Sequence, residues 1–214
     1  MSPFQLIATN SRLIIIHAYR FNILACYSID MNDFTLEQIE EIVHKLERSQ
    51  LSGANLSGSN LIRANLFGAI MNRVNLSQAN LRGANLGSAR LRKADLSGAK
   101  MDPIYLIRAD LSGANLQNAN LQNAIMNGAN LTATDMRETY LINTKFNGSK
   151  LCQSDLRGAI MDSANLIRAD LRGANLQTAN LQNADLTNSE FDSDTKWPSN
   201  FDPIAAGAIL MDHE

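Results

Sequence analysis

Residues 106–124 read LIRADLSGANLQNANLQNA, and residues 166–184 read LIRADLRGANLQTANLQNA. In both stretches a large apolar residue returns at every fifth position. Followed outward, that column runs from Leu51 to Phe191 without insertion or deletion, 29 successive pentads. It is leucine except at Met71, Met101, Met126, Met136, Met161, Phe146 and Phe191. Two places before each apolar residue sits alanine or another small residue, usually followed by Asn or Asp, as in Ala54-Asn55-Leu56.

A period of five fits neither an α-helix nor a simple strand. Side-chain geometry resolves it. In extended chain, residues two apart point the same way, so Ala54 and Leu56 both face inward while Asn55 and Ser57 face outward. Position 58 must then turn a corner. Ten of the 12 glycines occupy that corner, and five more corners are asparagine. Both residue types tolerate the positive φ that a type II turn requires at its third residue. Each pentad is therefore a short extended piece followed by a sharp turn.

These Ala-Asn-Leu-Ser-Gly units and their variants resemble the pentapeptide-repeat family, whose motif is A(D/N)Lxx. The resemblance covers about two-thirds of the chain. It implies an all-β solenoid, a right-handed quadrilateral β-helix with four pentads per coil. The chain would supply about seven coils, a rod roughly 34 Å long at the usual spacing between strands. The 60-residue offset between the two quoted stretches would then be three whole coils, so equivalent side chains return to one face.

Two departures stand out. Pro103 occupies a corner where its ring forbids positive φ, and Ile104 stands where alanine is expected; a local distortion with a different turn type is predicted there. Thr134, Thr139, Thr144, Ser149 and Ser154 replace inward alanines, and their hydroxyls need partners, for which backbone carbonyls are at hand.

The flanks divide the chain further. Residues 1–34 form an N-terminal extension whose apolar run, from Leu13 to Ile29, is interrupted by His17, Arg20 and Asn22 and is too uneven for a membrane span. A start at Met31, which would place residues 1–30 upstream of the protein, is the plainer alternative to export or membrane association, and a cytoplasmic location is expected. Residues 35–50 are read as a capping helix. Thr35 and Gln38 form a capping box, and Leu36, Ile39, Ile42, Val43 and Leu46 make one apolar stripe. Partner binding is its alternative role. Residues 51–191 are the solenoid. Residues 192–214 are similar to the tail of cyanobacterial members; Trp197 and Phe201 suit closure of the open end, with an end-to-end dimer as the alternative to a monomer.

No catalytic, metal or cofactor site is expected. His17, His44 and His213 lack partners at ligand spacing, and no phosphate-loop, dinucleotide or nucleophile-elbow pattern occurs. Cys26 and Cys152 are too far apart in sequence to suggest a disulfide framework. A core filled by Leu and Ala leaves no concave substrate pocket, so the reading is a non-enzyme without cofactor or small-molecule substrate. Function must lie on the outer faces. Folding the numbering by twenty gathers Arg73, Arg90, Arg92, Lys93, Lys150 and Arg172 on one face, with Arg73 and Lys93 stacked at successive corners and Asp110 and Asp170 as partial balance. Phe67, Ile107 and Ile167 project from another face, and Ile62 and Ile142 from the next. The reading is a scaffold for an unidentified protein partner. Some members of the family imitate DNA to inhibit or protect DNA gyrase, but that requires an acidic surface. Residues 51–191 hold 14 Lys/Arg against 10 Asp/Glu and contain no inserted loop, which disfavours the role. Direct nucleic-acid binding and membrane binding rank lower still.

Overall fold

The computed structural model describes residues 4–9, 12–18, 24–30 and 46–211. Within 46–211 the chain winds in coils of twenty residues. Parallel bridges join each residue before the apolar column to its equivalent one coil on, from Gln50 with Ile70 through Asp170 with Glu190. The last bridge, Asn175 with Lys196, spans 21 residues; the extra residue falls at the turn of Asp192 to Thr195, where the pentad rhythm ends.

The pentad accounts for its own backbone. The N–H of Leu56 donates to the carbonyl of Asn75 at 2.7 Å and that of Gly58 to Ser77 at 2.8 Å, one coil ahead. The N–H of Asn75 donates back to Ala54 at 2.9 Å, and the N–H of Ala54 closes the turn onto Leu51 at 3.1 Å. The fifth N–H belongs to the residue after the column, which no backbone carbonyl of a neighbouring coil reaches. The side chain two residues earlier accepts it, as Asn75 Oδ1 does from Ser77 and Asp95 Oδ1 from Ser97, both at 3.0 Å. That is why Asn and Asp are the commonest residues before the column: each offers a short acceptor to its own backbone two residues on. Their amides also form ladders between coils, Asn115 Nδ2 donating to Asp95 Oδ1 at 3.1 Å.

The inward positions are the leucine column and the small residue two before it, and both are buried along nearly the whole solenoid. All corners from Arg48 to Asn188 have positive φ except Pro103. There the Asp102-Pro103 bond is cis, which converts the corner into the type VI turn that a cis proline at the third place makes. Ile104, the bulky intruder at the alanine position, is fully buried. Of the five inward hydroxyl residues, four donate to backbone carbonyls: Thr134 to Leu111 at 3.1 Å, Thr139 to Met136 at 2.6 Å, Thr144 to Leu121 at 2.8 Å and Ser154 to Leu151 at 2.7 Å. Ser149 Oγ is buried without a partner among the described residues.

Where a corner is neither Gly nor Asn, the side chain bears the cost of the left-handed region. Ala133 sits at φ 54° with only a methyl group to offer. Left-handed backbone costs an L-residue roughly 1–2 kcal/mol, so Ala133→Gly is expected to stabilise the protein by about 1 kcal/mol, after the greater freedom of unfolded glycine is subtracted. A thermal melt showing no rise in Tm would contradict this.

Two features differ from the sequence reading. The solenoid reaches back at least one pentad beyond Leu51: Leu46 is buried in the core, Arg48 turns a corner at φ 54°, and Gln50 bridges to Ile70. Residues 46–50, expected to end the capping helix, therefore form a pentad, while residues 31–45 lie outside the described residues. The extension also contains strands β1 (Phe4–Thr9), β2 (Arg12–Ala18) and β3 (Leu24–Asp30), paired antiparallel in the order β1-β2-β3. No helix among the described residues is long and apolar enough to cross a membrane.

At the other end, β4 (Glu190–Phe191) pairs in parallel with β5 (Ile209–Leu210). The Trp197 ring meets Phe191 edge-on at 5.5 Å and stacks on Phe201 at 5.4 Å, and Trp197 and Phe201 pack against the core. The apolar column thus ends beneath three aromatic rings.

Candidate partner-binding faces

With the interior closed, the side chains free to act are the residue before the column, the one after it and the corner. The structure brings three of the expected basic residues together. Arg73, Arg92 and Lys93 line a groove of about 560 Å³ with Ser52, Gly53 and Asn72. Arg73 and Lys93 hold successive corners at φ 58° and 56°, so their side chains leave the rod in the same direction, one coil apart. Asn72 Oδ1 accepts the Arg92 N–H at 3.1 Å and ties the two coils.

Charge on this face is only partly balanced. Arg92 Nε donates to Asp110 Oδ2 at 2.5 Å. Burial raises the Asp110 pKa, but the hydrogen bonds from Arg92 and Ser112 outweigh it and hold the carboxyl below its ordinary value. Arg73, Arg90 and Lys93 form no ion pair among the described residues. Arg90 stands before Leu91 in the same bridge row as Ile70 and Asp110, on this face but outside the groove.

Arg172 shares this face with the group but lies outside the groove. It lies four coils further on and clamps Asp170, with Nε to Oδ1 at 2.9 Å and Nη2 to Oδ2 at 2.7 Å. Lys150, bridged between Asn130 and Asp170, likewise sits away from the groove. The same clamp recurs on the neighbouring face at Arg137 with Asp135 and Arg157 with Asp155. Spacing explains it: an acid before the column residue and an arginine after it point outward side by side, so Asp and Arg flanking a column Leu or Met pair in Asp135-Met136-Arg137, Asp155-Leu156-Arg157 and Asp170-Leu171-Arg172.

The clamp has a pH consequence. The Arg172 hydrogen bond, opposed by burial and aided by Cys152 and the Arg172 N–H, lowers the Asp170 pKa from 3.8 to about 2. A carboxylate with a depressed folded pKa stabilises the fold above its unfolded pKa and loses that contribution as pH falls through the folded one. Tm is therefore expected to fall between pH 4 and pH 2, and to fall less in Asp170→Asn. An equal acid-induced drop in both proteins would show that the pair is inert. The adjacent Cys152 thiol is pushed up to about 11 by burial and by Asp170, which keeps it protonated at neutral pH.

The interior is filled, and the concavities lie on the outer surface. Besides the basic groove, an apolar one of about 650 Å³ opens around Phe67, Gly87, Tyr105 and Ile107. Both are on the outside of the rod. Among the described residues no group of His, Cys, Asp and Glu is placed to hold a metal ion.

A family profile, Pentapeptide repeats (8 copies), matches residues 45–83, 69–102, 104–141, 139–177 and 164–193. The chain belongs to the pentapeptide-repeat family. The first match begins at residue 45, in line with Leu46 as the first buried column residue. The solenoid is accordingly the right-handed quadrilateral β-helix of that family. Among solved structures, the chain is similar to HetL, a pentapeptide-repeat protein involved in heterocyst differentiation regulation from the cyanobacterium Nostoc sp. strain PCC 7120. Identity is 31%, covering 70% of this chain and 77% of that one, with a TM-score of 0.41. Rfr23 from the cyanobacterium Cyanothece 51142 is 30% identical, covering 69% of this chain and 90% of its own, with a TM-score of 0.19. QnrB1, a plasmid-mediated fluoroquinolone resistance protein, is 19% identical over 77% of this chain and 86% of its own, with a TM-score of 0.39. Curated proteins give no match.

Proposed function

We propose that this pentapeptide-repeat protein is a non-enzymatic scaffold of about seven coils, stacked as a solenoid of near-identical units, whose outer faces hold a protein partner. The basic corner groove is the docking site, and an acidic segment of the partner is its occupant. One observation supports this reading above others: Arg73 and Lys93 project side by side from successive corners into one groove, with no carboxylate paired to either among the described residues. Such a pair carries a local positive potential that oppositely charged groups on another protein would complement, with a strong dependence on salt. No small molecule, cofactor or membrane is needed for it.

The test is capture of partners from the native organism, with the full chain as bait. Arg73→Glu/Lys93→Glu is expected to lose the salt-sensitive partners that the wild type retains. Arg172→Ala is expected to keep them, because its charge is already held by Asp170. Identical capture by the wild type and the double variant would sink the assignment. Imitation of DNA is disfavoured because the groove is basic and the repeat carries more Lys/Arg than Asp/Glu. Protection or inhibition of gyrase in a supercoiling assay would reverse that ranking.

A further inference from the structure

Ten glycines turn corners, but Gly87 does not. It stands directly after Leu86, where neighbouring coils of the same face carry Phe67 and Ile107. Its φ is unremarkable, and what it contributes is absence of a side chain. A Cβ there would lie 3.1 Å from Phe67 Cδ2 and 3.2 Å from Asn85 Oδ1, so the Phe67 ring rests against bare backbone. The result is a notch walled by Phe67 on one side and by Ile107 and Tyr105 on the other, within the groove of about 650 Å³. Phe67, Tyr105 and Ile107 remain 38%, 43% and 43% exposed. Ile62 and Tyr140 are also exposed, at 42% and 44%, but Phe67, Tyr105 and Ile107 are large apolar side chains gathered in water around one gap, the kind of patch that marks an interaction site.

Charge narrows what would fill the gap. No carboxylate lines the groove, and Arg108 does. Arg63 lies over Gly83 at the opposite corner, its Cγ 3.1 Å from where a Cβ would be. Neither arginine has an ion-pair partner among the described residues. The geometry points to a docking site for a short segment of another protein that inserts one aromatic side chain into the Gly87 notch and sets flanking carboxylates on Arg63 and Arg108. This surface is separate from the basic groove of Arg73 and Lys93 and does not depend on it. An apolar anchor in a desolvated pocket, ringed by charged contacts, is the arrangement in which a few residues carry most of the binding.

The probe is a short fluorescent peptide with one phenylalanine flanked on both sides by Asp and Glu, followed by fluorescence anisotropy with the full chain. The wild type is expected to bind it at least about tenfold more tightly than Gly87→Leu, which fills the notch, and than Arg63→Glu/Arg108→Glu. Corner Glu138 at φ 55° shows that glutamate fits such a position. Phe67→Ala, a change at an exposed ring, repeats the test should Gly87→Leu fold poorly. The matched peptide with alanine in place of phenylalanine is expected to lose the same factor. Arg73→Glu/Lys93→Glu is expected to bind the probe as the wild type does, so failure here and failure of the basic groove read differently. Equal affinity for both peptides, or for wild type, Gly87→Leu and Phe67→Ala, would overturn the proposal. So would sedimentation showing a wild-type dimer that Gly87→Leu dissolves, because the occupant would then be a second copy of this chain.

Discussion

Phe146→Ala is expected to destabilise the protein by about 3–5 kcal/mol, the range for removing a buried aromatic ring. Phe146 is fully buried and is the largest fully buried side chain of the solenoid. The reason to expect the upper part of that range is the rigidity of what surrounds it. Its N–H donates to Asn165 at 2.7 Å, and the flanking Lys145 and Gly148 are bonded to the coils below and above. A coil tied on both sides cannot sink into the cavity, so the lost contacts are not regained. At roughly 2–4 °C per kcal/mol for a chain of this size, the melting temperature should fall by about 6–20 °C. Phe67→Ala, on the outside, is expected to shift it by far less. Comparable shifts for the two variants would mean that the core repacks freely, against the fixed ladder described above.

The core was readable from the sequence because a single period governs both side-chain direction and backbone pairing. Once the leucine column is seen, burial of Ala and Leu and the corner glycines follow from extended geometry, and the twenty-residue coil rests on the resemblance. The stacking of Arg73 on Lys93 was readable on that frame. Other features were hidden by specific ambiguities. Leu46 belongs to a helical stripe and to the five-residue column at once, and Glu47-Arg48 looks like the charged end of a helix, so the sequence does not separate the pentad of residues 46–50 from the helix read before it. Strands β1 and β2 are separated by only Asn10-Ser11, a spacing typical of hairpins; the continuous Leu13-Ile14-Ile15-Ile16 run masked any alternation. Asp170 is legible as partial balance of the basic face, but numbering by twenty does not show that it clamps Arg172 through two hydrogen bonds. Gly87 does not stand out in a pattern where ten of the 12 glycines mark corners. The signal was its position: a glycine directly after a column leucine cannot be there for its φ.

Ala119→Asp is expected to cost more than about 4 kcal/mol and to abolish a single cooperative unfolding transition. Large losses of that kind belong to buried groups left without partners. Ala119 has no exposed surface, and the inward residues one coil away on either side, Ala99 and Thr139, have none either. A carboxylate there has no cation within the filled interior, and protonating it to remain buried still leaves its oxygens to be satisfied. Against a total stability of about 5–15 kcal/mol for a typical domain, one such group is enough to part the solenoid at that coil. Ala119→Ser is the informative companion. Thr139 and Ser154 at equivalent places donate to the carbonyl three residues back, at 2.6 and 2.7 Å, and a serine at 119 can do the same with Leu116. It is therefore expected to change stability by less than about 1 kcal/mol, because the hydrogen bond offsets the desolvation of a small hydroxyl. Circular dichroism melts of the pair distinguish a core that excludes polarity as such from one that excludes only unsatisfied polarity. The second outcome is the one Thr134, Thr139, Thr144 and Ser154 support; Ser149, whose Oγ has no partner among the described residues, stands against it. That outcome also means that substitutions at outward positions such as Arg73 or Lys93 can change the outer faces, and so test the proposed docking, while the ladder beneath them stays intact.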